Sequence, residues 1–259
     1  MLKVCVLASG SSANCIYVAT PRTRILIDAG LSGKETTRRL GETQADLAEV
    51  QAVCLTHEHD DHRSCIRLLQ RRHGLEVYAN SGTIEALSRS NGFGDVRWNM
   101  FTTGVAFEIG DLAIEPFSVP HDSYEPVGFI VASADRRLGV VTDMGMPTEL
   151  IRERLRSCNI VIVEANHDED MLRDADRPWP LKQRIAGRQG HLSNVQAGEL
   201  IADVAGPELR TVFLAHLSMD CNRPELALKT VRRALAKHGL THVEVKLTYP
   251  DRISEVAEV

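Results

Sequence analysis

The chain has 259 residues, of which 43% are hydrophobic, 25% charged and only 5% aromatic, which suits one large globular domain or two small ones. Apolar runs recur along the whole length, which excludes a disordered chain, and none approaches the roughly 20 residues that a membrane-spanning helix needs. The formal net charge of −5 argues against a broad polyanion-binding surface, although a metal in an acidic site would reverse the charge locally.

Strand-like apolar runs follow one another from the first residues onward. The first run leads directly into a Ser-Gly-Ser-Ser segment, and we interpret it as a strand and not as a signal peptide. The sequence predicts strands over residues 3–8, 15–19, 24–28, 52–56, 76–79, 112–119, 127–132, 138–142, 160–164, 211–215 and 243–247.

The cysteines lack any paired spacing. Cys5, Cys15 and Cys54 lie in strand-like apolar runs, as small reduced core residues do. We therefore expect a protein of the reducing cytoplasm, with no membrane partner.

Helix boundaries are also readable. Capping boxes are predicted at residues 32–35, 193–196 and 222–225, and Gly74 and Gly239 stand where helix C-caps belong, after helices at 64–73 and 225–238. Many strands with a few amphipathic helices predict packed sheets flanked by helices. No repeat or linker interrupts the chain, so we expect a single domain over residues 1–259.

The chemically informative segment is Thr-His-Glu-His-Asp-Asp-His at residues 56–62, directly after an apolar run. Three imidazoles and three carboxylates within six residues would repel one another, desolvate poorly and shift one another's pKa values. A divalent metal removes that cost, because neutral histidine and ionised aspartate are its natural ligands. The alternative, a solvated polar loop, is disfavoured by the spacing.

This segment resembles the His-x-His-x-Asp-His motif of the metallo-β-lactamase family, and further family motifs follow at ordered intervals. Asp28 ends an apolar run before an Ala-Gly pair, while His121, Asp143 and His216 each follow a strand-like run. The resemblance covers nearly the whole chain. It implies an α/β (α+β) fold, the four-layer αββα metallo-β-lactamase sandwich.

The resemblance also implies two divalent metal ions with a bridging hydroxide as nucleophile. The implied ligands are His57, His59 and His121 for one metal, Asp61, His62 and His216 for the other, and Asp143 between them. Asp61 is also expected to act in catalysis, and Asp28 to orient the ligands and the hydroxide, the alternative being a turn residue that closes a strand. Histidine-rich ligation suits Zn²⁺, while mixed imidazole and carboxylate sites also accept Mn²⁺ or Fe²⁺.

Asp61 and His62 together resemble phosphodiesterases of the ribonuclease Z and ribonuclease J kind, since amide-hydrolysing lactamases often replace this pair. Residues 164–165, 190–193 and 214–218 also follow the order of ribonuclease Z motifs, with one leucine interrupting the middle motif. This implies Glu164 and His191 as a proton relay. Asn166 or His167 could reach the cleft, but we expect a solvated loop at His167.

The chain has neither the long arm of ribonuclease Z nor the inserted domain of ribonuclease J. Its compact length, the segment at residues 7–14 and Gly-His-Leu-Ser-Asn at 190–194 most resemble the YycJ (WalJ) group of DNA exonucleases. The candidate substrate-binding residues are Ser11, Ser12, Asn14, Ser193 and Asn194. For the first three, an ordinary hairpin turn is the alternative.

Two basic stretches are candidates for contact with a phosphate backbone, the alternative being solvated helix faces. They comprise Arg63, Arg67, Arg71 and Arg72 after the metal motif, and Lys182, Arg184 and Arg188 before His191.

The sequence therefore predicts a binuclear metal-dependent phosphodiesterase that acts on DNA as an exonuclease. One alternative is a hydrolase of small phosphodiesters or thioesters on the same fold. The other is a noncatalytic metal-binding accessory protein, since metals can be retained after activity is lost.

Overall fold

The structure is a computed structural model that describes residues 1–90 and 92–259. In these residues the strands form two mixed sheets. The first has the order β14-β1-β2-β3-β4-β5-β6 and comprises β1 (Lys3–Ala8), β2 (Cys15–Ala19), β3 (Arg24–Ile27), β4 (Ala52–Cys54), β5 (Glu76–Asn80), β6 (Trp98–Phe101) and β14 (Ala257–Glu258).

The second sheet has the order β13-β12-β11-β10-β9-β8-β7. It comprises β7 (Phe107–Ile109), β8 (Leu112–Ser118), β9 (Val127–Ser133), β10 (Arg136–Val141), β11 (Ile160–Glu164), β12 (Thr211–Ala215) and β13 (Glu244–Leu247). Strands β3 to β6 are parallel, as are β10 to β13, while the remaining neighbours are antiparallel.

Helices cover the outer faces of both sheets. They are α1 (Gly33–Glu42), α2 (Asp60–Arg63), α3 (Ile66–His73), α4 (Ser81–Ser88), α5 (Glu149–Leu155), α6 (Glu169–Asp174), α7 (Trp179–Ile185), α8 (Asn194–Val204) and α9 (Pro224–Lys237), with a 3-10 turn at Leu47–Glu49. No helix in the described part of the chain is long and apolar enough to cross a membrane.

Three apolar clusters hold the layers together. The central one joins the two sheets, with Ile27 and Val4 from the first sheet packed with Phe129 and Phe213 from the second. The outer clusters pack the first sheet against α1 and α3, and the second sheet against α5, α8 and α9. The predicted sandwich of two sheets between helical layers is therefore confirmed.

The predicted strands are all present, with ends that differ by up to two residues. Three further strands, β6, β7 and β14, were not predicted; they are two to four residues long and lie at sheet edges. Strands this short carry little periodic signal, because their pairing depends on a partner distant in sequence. All six cysteines are buried and free, as predicted for the three assigned to the core.

The predicted helix caps are confirmed at Ser193, where both halves of the capping box form, and at Gly74, which adopts φ +72° after α3. At Ser32 only the serine half forms. The box predicted at residues 222–225 is wrong, because α9 has Arg223 at its N-cap. The side-chain amide of Asn222 instead donates to the backbone carbonyl of Ala165 and to Oδ1 of Asn194.

Candidate metal centre

Polar side chains from both sheets meet at one edge, at or just after the carboxyl ends of strands β3, β4, β8, β10, β11 and β12. Because β8 and β10 to β12 point the same way, their ends share that edge. The side chains brought there are Asp28 and His57 from the first sheet and His121, Asp143, Glu164 and His216 from the second.

Three imidazoles form one group of potential ligands. The Nε2 atom of His57 lies 3.0 Å from Nδ1 of His59, and Nε2 of His121 lies 3.4 Å from the same atom. The three ligand atoms lie within 4.8 Å of one another. Burial lowers the pKa of His57 and of His59, which favours the neutral ring that coordinates a metal.

Asp61, His62 and His216 form a second group within the same distance limit. Oδ2 of Asp61 lies 3.4 Å from Nε2 of His62 and 3.7 Å from Nε2 of His216. Burial opposes protonation of His216, but Asp143, Asp61 and Glu164 outweigh burial and raise the His216 pKa to about 10. A metal bound there must therefore displace a proton, as is usual for histidine ligands.

Asp143 lies between the two groups. Its Oδ2 atom is 3.4 Å from Nε2 of His62, and its Oδ1 atom is 4.0 Å from Nε2 of His121. Within the described chain, Oδ2 of Asp143 and Nε2 of His216 are buried without a hydrogen-bond partner. Unpaired buried polar atoms are costly, and a cation between them would satisfy both. The predicted ligands therefore fit a divalent metal.

Asp28 holds His62 in position. Its Oδ2 atom lies 2.7 Å from Nδ1 of His62, and its Oδ1 atom accepts a hydrogen bond from the Thr56 amide at 2.9 Å. This leaves Nε2 of His62 facing the centre, as expected of a carboxylate behind a metal-ligating histidine. The backbone of Asp28, directly after β3, is also left-handed, with φ +61°.

His216 shares this unusual backbone conformation, with φ +53°. Left-handed non-glycine residues cost free energy and concentrate at functional sites. Ser9 supports His216 by accepting a hydrogen bond from its backbone amide at 2.8 Å, and Asn166 donates to its carbonyl at 2.8 Å. Ser9 was not among the predicted site residues, although it lies in the Ser- and Gly-rich segment at residues 7–14.

Gly30 is a second residue of the site that was not predicted from the sequence. A Cβ atom at this position would lie 1.8 Å from the carbonyl oxygen of Asp61, so only glycine permits this approach. The Asn14 amide nitrogen donates to the same carbonyl at 2.7 Å, and its side chain donates to Oδ2 of Asp61 at 3.0 Å. Gly30 and Asn14 therefore set the position of Asp61. The sequence feature that could have identified Gly30 is the Ala-Gly pair after Asp28.

Glu164 joins two histidines. Its Oε1 atom lies 2.7 Å from Nδ1 of His191 and 2.8 Å from Nδ1 of His216, while Oε2 accepts backbone hydrogen bonds from Met144 and Leu192. Burial opposes ionisation of Glu164, but the two histidines outweigh burial and lower its pKa. The pairing of Glu164 with His191 that the sequence suggested is thus present in the structure.

His191 is more accessible to solvent than the buried histidines His62 and His216. Its side chain is 22% exposed, against 5% for His216 and 0% for His62. It lines a cavity of about 200 Å³ together with Ser11 and Asn166. Burial lowers the pKa of His191, but the Glu164 carboxylate reverses this and raises it. Oxygen and nitrogen atoms of Asp143, Glu164, His191 and His216 also lie close enough to share a metal.

The residues predicted to bind substrate divide into two sets. Ser11 and Ser12 are exposed in the turn after β1, beside the cavities of the site. Asn14, Ser193 and Asn194 are each 1% exposed, and their polar atoms are engaged within the protein. Asn14 donates a hydrogen bond to Asp61, Ser193 to Glu169 and Asn194 to Asn222. The structure therefore places these three inside the protein, where they support neighbouring residues of the site.

The solvated loop expected at His167 is wrong. His167 is 2% exposed, and its backbone forms a parallel bridge with Ser193. Its neighbour Asn166 lines the cavity beside His191, so of the two alternatives it is Asn166 that reaches the cleft.

The two packed mixed sheets with this His- and Asp-rich edge define a metallo-β-lactamase-fold protein. Residues 23–217 match the family model described as a beta-lactamase superfamily domain, and the chain belongs to that superfamily. Within it, the chain belongs to the YycJ/WalJ family. It is 37% identical to the exodeoxyribonuclease YycJ of Bacillus anthracis over 237 residues, 90% of this chain and 89% of that protein.

Identity to the exodeoxyribonuclease WalJ of Streptococcus pneumoniae is 35% over 263 residues, 99% of this chain and 98% of the relative. Ribonuclease Z of Bradyrhizobium diazoefficiens is 26% identical over 58% of this chain and 54% of its own. The crystal structure of the metallo-β-lactamase fold protein YhfI from Bacillus subtilis shares the fold, with a TM-score of 0.76 and 16% identity, covering 100% of this chain and 99% of that chain.

Proposed function

We propose that this protein is a metal-dependent exonuclease that hydrolyses phosphodiester bonds in DNA. The observation that carries the proposal is the His and Asp cluster adjacent to the His191–Glu164 pair at one sheet edge. The similarity to exodeoxyribonucleases over nearly the whole chain supports DNA as the substrate.

The seven predicted ligands would hold two divalent metal ions, one on the three-imidazole group and one on the Asp61 group, with Asp143 contacting both. When bound, such metals supply a water of lowered pKa and neutralise charge on the phosphate oxygens. Zn²⁺ suits the histidine-rich set, and Mn²⁺ or Fe²⁺ are compatible with it.

His191 would donate a proton to the departing sugar oxygen. A sugar alkoxide is a poor leaving group, and general-acid help lowers its barrier. Glu164 orients the His191 ring through Nδ1 and favours its protonated form. The nitrogen that would donate the proton is therefore Nε2. The exposed edge of His191 and the turn at Ser11 border the same cavity, where the substrate chain would pass.

We expect the purified protein to bind about two metal ions per chain, because the ligands divide into two sets around Asp143. Elemental analysis after reconstitution with Zn²⁺ or Mn²⁺ measures this directly. The Asp143→Ala variant serves as the matched comparison and should retain fewer ions. Saturation of the wild-type protein at one ion would contradict the binuclear arrangement.

We also expect covalently closed circular DNA to survive conditions that consume the same plasmid after linearisation. An exonuclease positions the reacting bond from a chain end, and the two sheets and flanking helices of residues 1–90 and 92–259 include no projecting arm to hold internal duplex. Gel analysis of both plasmid forms, with Zn²⁺ and Mn²⁺ supplied in turn, measures this difference.

The same assay separates the alternatives. Rapid cutting of circular DNA would reject the exonuclease proposal but would still indicate a nuclease. Turnover of a nitrophenyl phosphodiester without any loss of DNA would instead indicate a hydrolase of small diesters. No turnover by fully metal-loaded protein would indicate a noncatalytic accessory protein.

A further inference from the structure

A cavity of about 800 Å³ lies directly beside the candidate metal centre. Its walls include Pro120 and Asp122, which flank His121, and Gly190, whose carbonyl oxygen is 3.3 Å from Nδ1 of His121. A cavity of this volume is within the range of known ligand sites. It shares Asp122, Gly190 and Arg184 with the smaller cavity beside His191. The two cavities therefore adjoin, next to the reacting centre.

The charges that line the larger cavity leave one cation available. Nε of Arg184 donates to Oδ2 of Asp122 at 2.6 Å, so these two charges offset each other. Arg188 has no carboxylate partner in the described residues, and its Nε contacts only Sδ of Met146, at 3.2 Å. The cavity therefore has one positive charge in excess, close to His121.

The backbone around Arg188 is held closely in place. A Cβ atom at Gly145 would lie 2.4 Å from the carbonyl carbon of Arg188, and one at Gly190 would lie 2.1 Å from the carbonyl oxygen of Arg184. Two glycines thus let this segment pack against its neighbours without an intervening side chain. A cation on a positioned backbone loses less entropy when it binds an anion than one on a mobile loop.

In the other basic stretch, at residues 63–72, carboxylates lie close to three of the four arginines. Arg63 pairs with Asp60, while Arg67 and Arg71 both approach Asp95. These carboxylates offset most of the charge of the helix face after the metal motif. Arg72 has no carboxylate partner in the described residues, but it lines neither of the two cavities beside the metal centre. Of the two stretches considered from the sequence, the one that carries Arg188 is therefore favoured as the phosphate contact.

We propose that the 800 Å³ cavity is the subsite for the nucleotide next to the reacting phosphate, and that Arg188 binds the phosphate of that nucleotide. This inference rests on the proposed function, since it takes nucleic acid as the substrate. The five donors of a guanidinium match the oxygens of a phosphate, which explains an arginine at this position.

The test measures DNA binding by fluorescence anisotropy with a labelled ten-nucleotide phosphorothioate strand, which keeps the backbone charge and resists cleavage. Arg188→Ala should weaken binding about tenfold and reduce the slope of log affinity against log salt concentration by about 1. Arg188→Lys should keep the slope, because it keeps the charge. Arg233→Ala, which removes an exposed arginine from α9, is the matched control and should match the wild type.

A second set of strands localises the contact. Each strand carries one uncharged methylphosphonate at a different position. The wild type should lose affinity at the position that Arg188 contacts, and Arg188→Ala should lose nothing further there. Equal loss in both proteins at every position, or a wild-type salt slope in Arg188→Ala, would overturn the subsite. If binding to these strands depends on Arg188 but the metal-loaded wild type does not cleave unmodified linear DNA, the proposed exonuclease activity is overturned and the subsite is retained.

Discussion

Replacing His191 with alanine is expected to slow DNA hydrolysis about 100-fold to 10,000-fold, the usual contribution of a general acid. The reason is that the departing sugar oxygen needs a proton, and the imidazole held by Glu164 at 2.7 Å would supply it. On a nitrophenyl phosphodiester, whose leaving group departs readily without protonation, the loss should be much smaller. Initial rates of the two substrates, compared at equal metal content, measure this difference.

His242→Ala is the matched control, because His242 is exposed in a turn far along the chain. It should retain wild-type rates on both substrates. The arrangement of Asp143, Glu164, His191 and His216 offers a competing role for His191 as a metal ligand. In that case the His191→Ala protein would bind less metal, and both substrates would suffer equally. Either result would remove the proton-donor role.

Replacing Asp28 with asparagine is expected to weaken metal binding about 10-fold to 100-fold, as observed for partners that orient ligating histidines. Asparagine has nearly the same shape and tolerates the left-handed backbone at φ +61°, so the fold should be preserved. What is lost is the negative charge behind Nδ1 of His62, 2.7 Å away. That charge makes the opposite nitrogen of the ring a better ligand.

Metal affinity is measured by competition with a chromophoric chelator, and folding is checked by thermal unfolding. Asp135→Asn, in the exposed turn between β9 and β10, is the control and should bind metal as the wild type does. An unchanged affinity in Asp28→Asn would show that Asp28 acts only through its turn conformation.

Local signals in the sequence were sufficient for most of the strands and for the positions of α1, α3, α8 and α9, whereas α2 and α4 to α7 were not predicted. Strands such as Ile160–Glu164 and Thr211–Ala215 are continuous apolar runs, and their bounds are confirmed to the residue. The dense His and Asp motif at residues 56–62 likewise predicted a metal site, because such charges are unstable together without a cation. Edge strands β6, β7 and β14 lacked such a signal.

The uses of individual polar residues were not predictable in the same way. Ser193 and Asn194 fit a substrate-binding motif by residue type, yet the structure buries both. Asn194 bonds to Asn222, 28 residues away, and Asn14 bonds to Asp61, 47 residues away. A hydroxyl or an amide serves equally well as an internal support or a substrate contact, so its chain position does not distinguish the two.

The amino-acid sequence by itself determined most of the strands, several helix ends, the metal-binding chemistry and the resemblance to a family of metallohydrolases. Only the tertiary structure decided that Glu164 is shared by His191 and His216, and that Arg188 lacks the carboxylate partner that Arg184 has in Asp122. The physical reason is the separation along the chain over which each kind of interaction acts. Apolar periodicity acts between near neighbours in the chain, whereas hydrogen bonds and ion pairs depend on which distant segments the packed sheets bring within about 3 Å.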